Sequence, residues 1–378
     1  MNLIKKYFVI NNKSIYTIIF LIYFLFTFLR FLYPANVILT SIVVGAGILL
    51  LVNLSFHIKR DEQLVYLYVI VLISSVLISA IVTSRYERLG HIILFILSNM
   101  GVALLILRSY VHSWACYFIF YLLTLFFFKQ IITGVEADDA VSVVSHNGIS
   151  MIILIACITL YLIQNLNNKK ISLLPSILTL IICIWGTGRS GILASLVLLL
   201  GLLIVKFNVR KRVIFFIGLP FAIVYIFFET LILYAVQVPF LTQAATNYLV
   251  RANGEPEARI DIWNNYFHNI NFSKLFFGVN PKIDPWPEGQ TLAYNYHNTF
   301  INLHSQTGIV GILTILILII SFTKLLKFNN IVAILLLTLI IRWFTDTGLY
   351  FESWDFLPFY FTFIYLSKRY FVSDNQIN

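Results

Sequence analysis

The chain has 378 residues, 60% hydrophobic and 11% charged, with a formal net charge of +10. A soluble protein of this size carries roughly a quarter charged residues, so a water-soluble globule is excluded by lack of polar surface, and intrinsic disorder by the high hydrophobicity. The basic residues sit in short clusters between long apolar runs rather than gathered on one polar face, which argues against a nucleic-acid partner.

Crossing the hydrocarbon of a bilayer takes about 20 apolar residues. By that ruler twelve helices are predicted, at 15–33, 35–56, 64–82, 89–107, 114–133, 147–164, 171–186, 190–206, 213–235, 298–322, 329–345 and 354–370. The seventh and the last are short, so ten or eleven spans also fit. Run length and the absence of two-residue alternation favour helices over strands. The expected fold is therefore all-α, a polytopic transmembrane bundle forming one integral membrane domain over 1–378. Lys5, Lys6 and Lys13 precede the first span, but its length and the absence of a small-residue cleavage site predict a retained anchor, not a cleaved signal. Cys116, Cys157 and Cys183 lie inside apolar runs and read as small buried hydrophobes. Arg30, Lys129 and Arg342 fall near outer span ends, where snorkelling is the default expectation, whereas Glu229 lies deeper and needs a buried partner.

Orientation follows from the basic residues. With the N-terminus in the cytosol, the inner segments hold 16 Lys and Arg against only Asp61, Glu62 and Asp374, a net charge of +13. Everything else sums to −3. Both termini are expected in the cytosol. The connection between the ninth and tenth spans, residues 236–297, then lies outside and is far longer than the others; loops of that length are usually functional.

Three constellations stand out. In Gly186-Thr187-Gly188-Arg189-Ser190-Gly191, glycines around one arginine permit a sharp turn and close approach to a ligand, and the guanidinium fork matches phosphate oxygens. The same residues also fit a tight interhelical turn. In the second, Ile260, Trp263, Phe267 and Ile270 recur at helical spacing, predicting a short amphipathic helix on the outer membrane face. Arg259 sits in its first turn, unfavourable for a cation, so it either pairs with Asp261, Glu255 or Glu257 or serves a ligand. The third runs from His297-Asn298 through His304 to Gly308 and Gly311. His297 has the right ordinary pKa to exchange a proton, His304 reads as a packed interior histidine, and the spacing fits no metal motif.

Taken in this order, an arginine among Gly and Ser between two spans, an outer loop with Arg followed by Trp, and His-Asn with two downstream glycines, the sequence resembles the bacterial O-antigen ligase and polymerase family over about residues 171–322. The stretch Lys274-Leu275-Phe276-Phe277-Gly278-Val279 adds to the likeness. The Gly-Arg-Ser-Gly order departs from the more usual Ser-Arg-Gly, and Arg251 competes with Arg259 for a clamp role. The resemblance implies a glycosyltransferase of the GT-C type, needing no cofactor or metal, at the outer face of the bacterial inner membrane. Its donor would be an undecaprenyl-diphosphate-linked oligosaccharide. Its acceptor would be another lipid-linked repeat unit for a polymerase, the favoured reading, or lipid A–core for a ligase, with a chain-length regulator as a further partner. It also implies roles: Arg189 and Arg259, with Arg251, at the diphosphate, His297 at the acceptor hydroxyl, and Asn298, Trp263 and His304 around the substrate. A transporter or flippase of lipid-linked glycans is the remaining class. The crowding of polar groups into one outer loop, rather than at the bilayer midplane of repeated halves, argues against it.

Overall fold

A computed structural model describes residues 13–141, 146–207, 256–280, 296, 298–345 and 352–367; for residues 138, 146, 147, 256–261 and 345 it describes the backbone alone. Among the described residues every regular element is helical. The helices are α1 (Lys13–Leu32), α2 (Val37–Ser55), α3 (Gln63–Val82), α4 (Leu89–Leu107), α5 (Ser113–Ile132), α6 (His146–Leu166), α7 (Leu174–Trp185) and α8 (Arg189–Lys206). After the gap follow α9 (Pro256–His268), α10 (Phe272–Phe277), α11 (Thr299–Thr307), α12 (Ile309–Phe328), α13 (Asn330–Thr345) and α14 (Phe356–Leu366).

Among the described residues eight helices are long and apolar enough to cross a membrane, namely α1 to α6, α8 and α12. The apolar helices α7, α13 and α14 are shorter, at 12, 16 and 11 residues. The predicted span at 213–235, with Glu229, lies outside the described residues. The predicted span 298–322 is corrected: it is two helices, broken at Gly308, where φ is +54°.

The core forms around α4, α6 and α14. Almost every side chain of α6 from Gly148 onward is buried, as are Phe356 to Ile364 of α14. Close approach of α2 to α4 depends on small residues, the usual device where lipid removes the hydrophobic drive between helices. A Cβ on Gly101 would stand 2.1 Å from the Gly47 carbonyl oxygen, and one on Gly47 would stand 2.0 Å from Ser98 Oγ.

Two charge clusters, the first of them buried, pin the bundle at its ends. At one end, Arg108 donates through Nε to Glu62 Oε1 (2.9 Å), pairs again through Nη2, and reaches the Leu54 and His57 carbonyls at 3.0 and 2.9 Å. This one guanidinium ties the end of α2 to the start of α3 and the end of α4. At the other end, the turn before α14 is gripped by α1 and α4. Arg30 pairs with Glu352 at 3.0 Å and bonds Ser353 Oγ at 3.0 Å, while Tyr23 donates to the Ser353 carbonyl and Asn99 to the Glu352 carbonyl at 2.7 Å. Arg88 (3.7 Å) and His91 (3.6 Å) complete the shell around Glu352. The snorkelling expectation is thus corrected for Arg30, which also lies over the Phe95 ring, and for Arg342, which is buried in α13. It fits Lys129, which is exposed. Burial pushes the Glu352 carboxyl up, and the contacts with His91 and Arg30 more than reverse it, so it titrates below its ordinary value.

Arg108→Ala leaves the Glu62 carboxylate buried without its cation, which costs about 3–5 kcal/mol; thermal unfolding in detergent should show the loss, and Arg108→Lys should recover only part of it because it lacks the fork. For Glu352 the sign is that of a depressed carboxylate: its contribution is present above its unfolded pKa of about 4.3 and lost as pH falls through the lower folded value. The stability gap between the wild type and Glu352→Gln should therefore be full at neutral pH and close on acidification below about pH 4.

Candidate functional site

The site grows from the break at Gly308. Asn298 starts α11, its side-chain oxygen accepting from the Phe300 and Ile301 amides at 2.9 and 3.1 Å. Its amide nitrogen donates to the Phe344 carbonyl at 3.1 Å, tying the start of α11 to the C-terminal end of α13. One turn before the break, His304 uses both ring nitrogens: Nε2 lies 3.0 Å from the Leu275 carbonyl, so it carries the proton, and Nδ1 accepts from the Tyr266 hydroxyl. His304 is buried, as the sequence suggested.

Helix α9 forms where the periodicity placed it, and one side of it is turned toward protein. Ile262 and Tyr266 are buried in a cluster with Val279, Tyr296 and Ile301, with Trp263 and Ile270 packed against it. Trp263 donates its indole N–H to the Tyr296 carbonyl at 2.8 Å and sets its ring against Phe344. Of the predicted stripe Phe267 is exposed, and the side chain of Ile260 lies outside the described residues.

The antiparallel pairing of α3 with α11 and α12 fixes the level of the site. Tyr68 meets Thr314 Oγ1 at 3.0 Å, Ser75 donates to the Thr307 carbonyl at 2.6 Å, and Asn280 donates to the Thr83 carbonyl at 2.8 Å. On that register Asn298 stands level with the α3–α4 turn, just past the apolar part of α3. The 20 residues of α3 make a rod of about 30 Å, matching the hydrocarbon thickness, so Asn298 and its neighbours sit at the polar boundary.

Arg189 opens α8 directly after the Gly188 N-cap. Its glycine setting is not used as the sequence suggested. The positive φ of the turn (+54°) belongs to Thr187, and Gly186 and Gly188 have φ of −65° and −77°. Gly191 instead lets α8 meet α6, since a Cβ there would lie 2.2 Å from the Ser150 Cβ. Helix α8 packs along α13, with Gly201 against Ile334, so the first turn of α8 falls at the C-terminal end of α13. The same end of α13 receives Asn298 and Trp263 through Phe344. Elements bearing all three constellations therefore meet at one end of the bundle.

His297 and Arg251 lie outside the described residues, and Arg259 is placed by backbone only, in the first turn of α9. The two neighbours of His297 are nevertheless held: Tyr296 through Trp263 and Asn298 through α13. One residue escaped the sequence reading. Arg85, in the α3–α4 turn, lies beside Tyr296 and Tyr266, burial lowers its pKa, and its Nη1 is buried with no hydrogen-bond partner. Among the described residues no carboxylate lies within ion-pair distance of it. In the sequence it was one charge in the polar run Ser84-Arg85-Tyr86-Glu87-Arg88, with nothing to separate it from a solvated loop. Among the described residues no three His, Cys, Asp or Glu side chains group to hold a metal.

These features are those of an integral membrane protein in which arginine-bearing and aromatic elements meet at one end of the bundle. Residues 174–316 match the family model described as O-antigen ligase, which supports a membrane protein of the O-antigen polymerase and ligase family and points to transfer of lipid-linked glycans. No curated protein matches the chain.

Gly308 is a direct test of this assembly. A Cβ there would stand 1.9 Å from the Phe276 carbonyl oxygen, at a φ of +54°, a region that residues with a Cβ adopt at a cost. Gly308→Ala should separate α10 from α11 while leaving the spans inserted, read as faster proteolysis between 256 and 298 with unchanged yield.

Proposed function

We propose that the protein is a repeat-unit polymerase of the O-antigen, capsular or exopolysaccharide type, acting at the outer face of the bacterial inner membrane. Its donor is a glycan on undecaprenyl diphosphate and its acceptor a sugar hydroxyl of another lipid-linked unit. The observation that carries this reading is the bracketing of His297 between the anchored Tyr296 and Asn298, on the helix pair that also carries Arg259. The level of the site supports a lipid-borne substrate, because a diphosphate on a membrane-embedded polyprenol lies at the polar boundary.

In the proposed step the acceptor oxygen bonds the anomeric carbon as the bond from that carbon to the diphosphate oxygen breaks. His297 takes the hydroxyl proton. The diphosphate leaves with the additional negative charge, and Arg189 and Arg259, with Arg251, receive it electrostatically, doing what a divalent ion does elsewhere. The charge of Arg85, partly buried beside Tyr296 and with Nη1 lacking a hydrogen-bond partner, adds to that positive field. Trp263, Asn298 and His304 act as positioning residues through the bonds described above. The description of the matched family favours one second reading, ligation of the finished chain to lipid A–core.

Arg259→Ala and His297→Ala should each abolish chain extension with insertion and expression unchanged, and Arg259→Lys should be poor because a point charge does not replace a bidentate fork. The readout is the glycan ladder on a gel; full-length glycan with His297→Ala would remove the assigned base. In a strain lacking the protein, core capped by a single repeat indicates a lost polymerase. Bare core with accumulated lipid-linked polymer indicates a lost ligase.

A further inference from the structure

The connection between α9 and α11 leaves the polar boundary and goes down. Ser75 lies seven residues below Val82, the last residue of α3, a drop of about 10 Å along the helix. At that depth its hydroxyl holds the Thr307 carbonyl. Phe276 touches the neighbouring Gly308, and Gly278 touches the Ser305 carbonyl, so the end of α10 shares this depth. Two residues later Asn280 is back at the Thr83 carbonyl, at the boundary. The chain thus descends about two helical turns beside α3 and returns.

What it carries there is apolar. Phe272, Phe276 and Phe277 are 79%, 40% and 36% exposed, with the first two rings 4.8 Å apart and tilted at 47°. Helix α10 packs against both α3 and α12, whose own outward sides expose Ile78, Ile81, Leu313 and Leu316. The phenylalanine surface is therefore continuous with a surface that spans the hydrocarbon. Irregular backbone at such depth requires its polar groups to be met by protein, and here they are: Val279 N donates to the Ser305 carbonyl at 3.0 Å and Gly278 N to the Lys274 carbonyl at 2.8 Å.

We propose that residues 272–278 form a re-entrant segment lodged in the outer leaflet, with Phe272, Phe276 and Phe277 in contact with phospholipid acyl chains. The segment forms the lipid-side wall of the site, since the Leu275 carbonyl is the acceptor that orients His304, and His304 in turn holds Tyr266 of α9. This holds whichever glycan is transferred and whichever acceptor is used.

The test is spin-label accessibility on the full chain in phospholipid nanodiscs. Labels are placed at Phe272→Cys and, in a second protein, Phe276→Cys, with Leu313→Cys on α12 as the lipid reference and Arg60→Cys as the aqueous one. The buried native cysteines are controlled by the unsubstituted chain. The expected result is collision with oxygen exceeding collision with a water-soluble nickel chelate several-fold at both positions, as at 313. A chelate-dominated signal like that of residue 60 would overturn the proposal by placing the segment in water. Labels shielded from both reagents would also overturn it, showing a second copy or the rest of the outer loop on that face. Should one variant fail to insert, the other decides.

Discussion

Hydrocarbon offers no hydrogen bonds to a backbone, so wherever a helix breaks inside the membrane the protein must supply the partners itself. The break at Gly308 obeys this rule in full. The Thr307 carbonyl is taken by Ser75, the Ser305 carbonyl by Val279, the His304 carbonyl by the Gly308 amide, and the Leu275 carbonyl by the His304 ring. Each donor comes from the break itself or from a segment laid against it. Helices α3, α10 and α11 are consequently fastened to one another by the same bonds that make the interruption tolerable.

How charge is handled separates scaffold from site. Glu62 with Arg108 is a closed, buried pair, and Glu352 with Arg30, Arg88 and His91 a partly exposed set in which opposite charges meet locally. Removing Arg108 costs stability because Glu62 is left charged and dry. Arg85 is different: it is brought against two tyrosines, with Glu87 acting on it only at longer range and no carboxylate within ion-pair distance among the described residues.

Much of the fold was legible because span length and apolarity are local properties, and α1 to α6 and α8 begin and end close to where the hydrophobic runs do. The break in the tenth span was not, because Gly308 interrupts no apolar run; only the backbone of Phe276 crossing at contact distance reveals why a glycine stands there. The buried states of Arg30 and Arg342 were hidden for a related reason, since a cation near a span end looks the same in sequence whether it faces headgroups or a partner 322 residues away, as Arg30 does. For the site, the sequence located the third constellation and the helix carrying Arg259. It could not reveal that α9 turns its apolar side to Tyr296 and Ile301, or that Arg85 from the first half of the chain joins them, because both depend on tertiary register.

The two bonds that bracket His297 end on main-chain carbonyls: Trp263 holds that of residue 296, and Asn298 holds that of residue 344. Such clamps grip the polypeptide and are indifferent to the side chains borne at the gripped positions. Side chains at the gripped positions can therefore change in evolution while the main chain on either side of residue 297 stays held.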